Sequence, residues 1–330
     1  MASPPPRYYI GIEIGGTKLQ LAVGPGDGTI AALRRETVKV ADGPQGIRRQ
    51  ILSCIPQILS QSQIAPDQIA GVGIGFGGPV DDATQSIIKS HQVENWDNFP
   101  LAAWISDMLG WPVALGNDAD VAGLAEALFG AGQGLSPIFY ITVGSGIGGG
   151  FILNGEIYRG IGRGAAEIGH LRAADFTEGQ LFRQPVELWS SGWSIHKVAR
   201  TKIGSGEAVD SLLGRRFANC PEQITSQDVA EAAKNGDRLA LSILNQAWTN
   251  LAEAICHVIT LLCPRRIVIG GGVSLMGEEL FFHPLRRLVA ERVFQPFKDC
   301  YEIVPARLGE EVVVHGALAL ARKRFSSEAR

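Results

Sequence analysis

The chain has 330 residues, 45% of them apolar and 19% charged, with a formal net charge of −3. That length can bury a large core and suggests two domains or lobes, and the charge balance is not basic enough to argue for nucleic acid or a membrane surface. Five scattered cysteines without a C-x-x-C pair signal neither a zinc site nor a redox dithiol, and 41 glycines without a period exclude a collagen-like chain.

Tyr8 to Glu13 reads as a strand, GGT as a turn and Leu19 to Val23 as a second strand. A polar link leads to a helix from Pro44 to about Ser60, with Ile47, Ile51, Ile55 and Ile58 at helical spacing. A buried strand, GVGIGFGGPVD, and a second hairpin into SIIKS follow. After a short helix near Pro100 to Leu109, the strand WPVALGND runs directly into a helix from Ala119 to Phe129. The pattern then restarts: a strand from Pro137 to Val143, the turn GSGIGGG, and a strand from Phe151 to Leu153. Helices are expected to dominate from Pro185 to Leu262, where Leu239 to Cys263 reads as an amphipathic core helix and not a membrane span. A last buried strand, RRIVIGGG, precedes helices around Pro284 to Val293 and Val312 to Lys323; the latter is expected to return to the first lobe. The start, MASPPPRYY, lacks an apolar targeting core, and with the odd cysteine count it suggests a cytoplasmic protein.

The glycines cluster at the ends of apolar runs, as expected where backbone approaches a ligand closely. In IFYITVGSGIGGG, Gly144, Gly146 and Gly149 have the spacing of a dinucleotide fingerprint. Such a fingerprint must open a helix whose N-terminus holds the pyrophosphate. Here the segment continues into FILNGEIYRG, which alternates like a hairpin, so a dinucleotide site is not expected.

The other motifs each admit a plain structural reading beside a chemical one. GIEIGGTK places Gly15, Gly16 and Thr17 at a hairpin tip, either an ordinary turn or a nest of amides for phosphate, with Lys18 adding charge. LGND sets Asp118 at the mouth of a strand, either as a helix cap or as a base for a substrate hydroxyl. GAAEIGHL presents Glu167 and His170 in a glycine-flanked loop, with Glu187 beyond it; these group types suit vicinal hydroxyls but are also common structural pairs. VIGGGVS closes a strand with three glycines, where a flat base can pack or the chain simply turns.

Taken in order, GIEIGGTK, GGPVD, LGNDAD, TVGSGIGGG, GAAEIGHL and VIGGGVS resemble the ROK family (repressor, open reading frame, kinase) of bacterial sugar kinases and sugar-sensing repressors, from Tyr9 to about Arg322. The resemblance implies an α/β, actin-like (ASKHA) fold of two lobes with a central nucleotide- and sugar-binding cleft. The smaller lobe would be residues 1–118 plus 312–330, and the larger one residues 119–311. By position, Gly15, Gly16, Thr17 and Lys18 would form the first phosphate loop. Thr142, Gly144, Ser145, Gly146, Gly148 and Gly149 would form the second, with Gly271 on the adenosine side. Asp118 would be the catalytic base; Gly78, Asn117, Glu167, His170 and Glu187 would bind the sugar.

Two departures stand out. The family usually has Asp in its first motif, whereas this chain has Glu13, the candidate magnesium partner through water. Many members also carry a cysteine-rich zinc motif before the glutamate matching Glu187. In this chain the stretch is LRAADFTEGQLFRQPVELWSSG, without cysteine, so no zinc is expected. Packing through Phe182 and Trp189 is expected to hold Glu187 instead.

The implied activity is ATP- and Mg²⁺-dependent phosphorylation of a hexose, with glucose leading and fructose, mannose or N-acetylmannosamine as alternatives; polyphosphate is an alternative donor. The expected partners are a small sugar and ATP, with no nucleic acid and no membrane, in a homodimer or homotetramer. A repressor reading is disfavoured, because about seven residues precede Tyr8 and no basic cluster replaces a helix-turn-helix domain. A sugar-binding protein with decayed catalysis is motivated only by Glu13.

Overall fold

The computed structural model describes residues 7–90, 93–177, 180–207 and 210–326. The chain is a two-lobed α/β protein that forms two compact units. The first takes in the chain up to Tyr140, Gly150–Ala165 and the part from Ala306 onward; the second takes in Ile141–Gly149 and Ala166–Pro305.

In chain order the first elements are β1 (Tyr8–Ile14), β2 (Lys18–Gly24), β3 (Ala32–Thr37) and α1 (Gly43–Ser62). Then come β4 (Ile69–Phe76), the short pair β5 (Val80–Asp81) and β6 (Ser86–Ile87), α2 (Leu101–Leu109), β7 (Val113–Asn117) and α3 (Asp118–Phe129). The middle holds β8 (Ile138–Val143), β9 (Ile147–Leu153), β10 (Glu156–Ile157), the hairpin β11 (Arg172–Thr177) and β12 (Gln180–Pro185), α4 (Glu187–Ser190) and α5 (Gly192–Gly204). The chain finishes with α6 (Leu212–Phe217), α7 (Ser226–Lys234), α8 (Arg238–Leu262), β13 (Arg266–Gly270), α9 (His283–Arg292), β14 (Glu302–Pro305) and α10 (Val312–Phe325).

The first unit is built on a sheet of order β3–β2–β1–β4–β7. β1 runs antiparallel to β2 and parallel to β4, and β4 runs parallel to β7. Strand alternation then sorts the side chains to two faces. Ile10, Ile12 and Ile14 of β1, with Val72, Ile74 and Phe76 of β4, join one core cluster with Ile47, Ile51, Ile55 and Ile58 of α1. The opposite face carries Gly11, Gly71, Gly73 and Gly75, and against it lies α10. A Cβ on Gly11 would come 2.8 Å from the Val314 carbonyl oxygen, and one on Gly73 would collide with the Ala317 carbonyl. Gly316 of α10 is pressed against the Val121 carbonyl of α3 in the same way. Many of the glycines that suggested ligand contact thus serve close helix–sheet packing.

Glu126 of α3, fully buried, ties this unit together. Its Oε2 accepts the Ala131 amide at 2.7 Å, and its Oε1 accepts those of Arg307 and Leu308, both at 2.8 Å.

The second five-stranded sheet has the order β10–β9–β8–β13–β14. Within the second unit, β13 runs parallel to β14, and α8 packs against α4, α5, α7 and α9. Trp248 of α8 donates its indole N–H to the Leu280 carbonyl at 2.8 Å and meets Phe281 edge to face. Among the described residues no helix is long and apolar enough to cross a membrane.

Three features differ from the sequence reading. β3 reads as a polar link because ALRRET is an edge strand whose charged side chains face water. β14, four residues long, is too short for a pattern. The stretch before Glu187, to which the sequence assigned no element, is the hairpin β11–β12.

Candidate active site

Register assembles half of the site at one edge of the first sheet. Ile14 pairs with Phe76, and Phe76 with Asn117, so the parallel strands β1, β4 and β7 end side by side. The Gly15–Lys18 turn, Gly77–Gly78 and Asn117–Asp118 all leave from these carboxyl ends, where ligands of open α/β sheets bind. The Gly77 amide donates to the Ile14 carbonyl at 2.9 Å, fastening two of these exits together.

In the first turn the Gly15 amide closes on the Lys18 carbonyl at 2.9 Å. The amides of Gly16 and Thr17 donate to no acceptor among the described residues, which leaves a pair of donors for an anion. Lys18 is held by its neighbours: its Nζ lies 3.2 Å from Glu13 Oε1 and 3.4 Å from the Glu310 carbonyl. Gln20, fully buried, donates to Glu13 Oε2 at 2.6 Å and to the Glu310 carbonyl at 2.9 Å. Burial pushes the Glu13 carboxyl above its ordinary range, with Lys18 and Gln20 pulling the other way.

At the end of β7 the structure separates two roles that the sequence left merged. The N-cap of α3 is Asn117, whose Oδ1 accepts the Ala119 amide at 2.9 Å and the Asp120 amide at 3.3 Å. Asp118 is the first residue of the helix, and its Oδ1 accepts the Ala119 amide at 2.8 Å. The Asn117 Nδ2 donates to the Gly78 carbonyl at 3.0 Å. Its second Nδ2 hydrogen is therefore the group Asn117 can offer a sugar oxygen.

In the second unit the predicted residues gather around the end of β8. The turn is shorter than GSGIGGG: β9 already begins at Ile147, placing Gly148 and Gly149 in a strand and Thr142 in β8. The Gly144 amide donates to the Gly146 carbonyl at 2.9 Å, while those of Ser145 and Gly146 donate to nothing among the described residues. Glu187 Oε2 accepts the Ile147 amide at 2.8 Å. A Cβ on Gly146 would stand 2.5 Å from that oxygen, so a side chain there would push the Glu187 carboxylate off the Ile147 amide. Gly271, at φ +87°, lies so close to β8 that a Cβ would fall 2.5 Å from the Val143 carbonyl oxygen. His170 and Glu167 are exposed at the loop; the His170 amide donates to the Glu167 carbonyl at 3.1 Å. Gly169 packs its backbone on the Ile147 carbonyl.

The β11–β12 hairpin carries the chain out and back, and the Val186 amide closes it on the Leu171 carbonyl at 2.8 Å. Glu187 then opens α4, and the Ser194 hydroxyl secures its carbonyl at 2.8 Å. A backbone ladder thus helps to position Glu187. Trp189 is half-buried, and the Phe182 side chain lies outside the described residues.

Gly192, Gln20 and Glu310 are supporting residues that no motif revealed. The Gly192 amide, at the start of α5, donates to the Gly144 carbonyl at 2.8 Å. Polarity alone does not announce a buried glutamine, and a backbone amide has no sequence signature.

Among the described residues no group of three or more His, Cys, Asp and Glu side chains is placed to hold a metal. One buried carboxylate, already paired with a lysine, does suit a magnesium ion that keeps its waters and rests mainly on phosphates. Glu13 fits that role as an outer partner.

These half-sites, on a two-lobed α/β fold, define the class of the sugar kinases. Residues 9–324 match the profile of the ROK family, and the chain belongs to that family. It is 31% identical to the glucokinase of Thermotoga maritima over 325 residues, covering 97% of this chain and 99% of that protein. A putative fructokinase of Bacillus subtilis is 28% identical over 335 residues, with 97% of each chain covered. The crystal structure of a ROK family glucokinase from Streptomyces griseus with glucose and AMPPNP superposes with a TM-score of 0.77. That pair is 29% identical, and the match covers 96% of this chain and 99% of the other.

Proposed function

We propose that this sugar kinase transfers the γ-phosphoryl group of ATP to the 6-hydroxyl of glucose, giving glucose 6-phosphate and ADP. The observation that carries the mechanism is the division of labour at the end of β7. Asn117 supplies the helix cap, so the Asp118 carboxylate is not required for it. Asp118 takes the proton of the attacking hydroxyl. The amides of Gly16 and Thr17 in one turn, and of Ser145 and Gly146 in the other, receive phosphate oxygens. Magnesium, when bound with the nucleotide near Glu13, supplies positive charge against the phosphates. Asn117, Glu167, His170 and Glu187 orient the sugar, and most of the rate comes from this positioning.

The resemblance to a glucokinase supports glucose, and the likeness to a protein named as a putative fructokinase makes fructose the second reading. ADP release, coupled to a reporter reaction, is to be followed with Mg-ATP and each of glucose, fructose, mannose, N-acetylglucosamine and N-acetylmannosamine. Turnover preferring glucose supports the proposal. Preference for another sugar replaces the substrate and keeps the mechanism; silence with every sugar, from protein that binds ATP, overturns it.

A further inference from the structure

The first unit contains a cavity of about 180 Å³ that none of the residues discussed above lines. A cavity of roughly 150 Å³ takes up a benzene ring, so this one has room for a molecule of roughly seven to ten non-hydrogen atoms. Its apolar wall comes from Ala114 of β7, Leu124 of α3, Ile157 and Leu320 of α10. Charged groups complete it: Asp82 and Glu156 on one side of the balance, Arg159, Lys323 and Arg324 on the other.

Each carboxylate already has a cation. Arg159 Nη1 lies 2.9 Å from Asp82 Oδ1, and Lys323 Nζ lies 2.5 Å from Glu156 Oε1. Arg324 has no ion pair among the described residues, so the cavity carries one surplus positive charge. The two pairs also differ in accessibility. The Glu156 side chain is 69% exposed, and so open a pair is held weakly and screened by solvent. Arg159 is only 22% exposed, and its partner Asp82 sits on the loop between β5 and β6, whose Asp82 amide donates to the Gly162 carbonyl at 2.8 Å. Asp82 and Arg159 are thus the built part of the wall, whereas Glu156 can swing away and surrender Lys323. Gln85 does not compete for a ligand through its oxygen, because Oε1 accepts the Leu115 amide at 2.8 Å.

We propose that this cavity is a binding site for a small organic anion: a phosphorylated or carboxylated compound of about three or four carbons, its charge on Lys323 and Arg324 and its carbon frame on the apolar wall. Glu156 occupies Lys323 when the site is empty and competes with the anion. Leu115 stands two residues before Asn117, and α3 begins at Asp118, so the ligand rests on the two elements that carry the proposed base.

Isothermal titration calorimetry of the full chain, saturated with a non-hydrolysable ATP analogue, tests this with glycerol 3-phosphate, phosphoenolpyruvate and succinate, and with inorganic phosphate and glycerol as controls. At least one of the three organic anions is expected to bind saturably, and glycerol not to bind. Arg324→Ala should weaken that binding at least tenfold while leaving basal sugar phosphorylation unchanged. Glu156→Gln, by releasing Lys323, should tighten it several-fold, an effect that a merely structural pair would not produce. Absence of binding by all three anions, equal binding of inorganic phosphate, or affinities indifferent to both substitutions would overturn the proposal. Both substitutions are on exposed side chains, so the fold is not at stake in either.

Discussion

The carboxylate of Glu187 accepts the amide of Ile147, fastening a residue expected on the sugar side to the first residue after the second glycine turn. Losing that carboxylate therefore disturbs both substrates. Glu187→Ala is expected to raise KM for ATP as well as for the sugar, each by about tenfold, the equivalent of about 1.4 kcal/mol. Steady-state kinetics with each substrate varied in turn checks this. An effect confined to the sugar would show that the turn holds its shape without Glu187.

Asp118 and Asn117 should separate cleanly by mutation. Asp118→Asn is expected to lower kcat by at least about a hundredfold and to leave thermal stability nearly unchanged, because the cap is on Asn117. Asn117→Ala removes the acceptor for two helix amides and should cost about 1–2 kcal/mol of stability, read as a lower Tm. Normal turnover by Asp118→Asn would remove Asp118 from the mechanism.

Glu126 satisfies three backbone amides from a fully buried position. Glu126→Ala strands them, at about 1–3 kcal/mol for each buried donor left unpaired, so a loss of at least about 3 kcal/mol is expected in urea unfolding. Glu126→Gln keeps one oxygen acceptor and should lose less. Equal, small losses for both variants would mean that water replaces the carboxylate.

Burial holds the Glu13 carboxyl above its ordinary value of 4.5, so the folded state keeps its proton to higher pH than the unfolded chain does. Between the ordinary and the raised value the folded state binds more protons, and stability falls as pH rises through that window. The contribution is fully present below the ordinary value. Glu13→Gln should flatten this decline in unfolding experiments run from pH 4 upward. Lys18→Met, which removes the compensating charge, should steepen it and carry it to higher pH; an unchanged slope in both variants would show that Glu13 is not the titrating group.

Motifs with a backbone requirement were the legible part of this chain. The glycine turns, the strand that ends at Asn117 and the long helices announce themselves through spacing, because their geometry constrains residue type locally. The β11–β12 hairpin does not: its ladder is made of main-chain bonds that the mixed polarity of RAADFT hides, and nothing near Glu187 in sequence points to Ile147, forty residues away. Asp118 was the expected cap if it was not the base, and only helix register moves the cap to Asn117. Gly78, read as lining the sugar site, also has a structural role that spacing did not show: its carbonyl accepts from Asn117.

The glycine face of the first sheet has a consequence for how the molecule comes into being. Strands from residues 8–117 are covered on that face by residues 312–325, and the fit admits no side chain between them. A nascent chain leaving the ribosome can pair β1, β2 and β4 early, yet the part of that face under α10 stays bare until this last helix emerges. Synthesis of the intervening residues is thus a waiting period, during which the first unit is exposed to chaperones and to other chains.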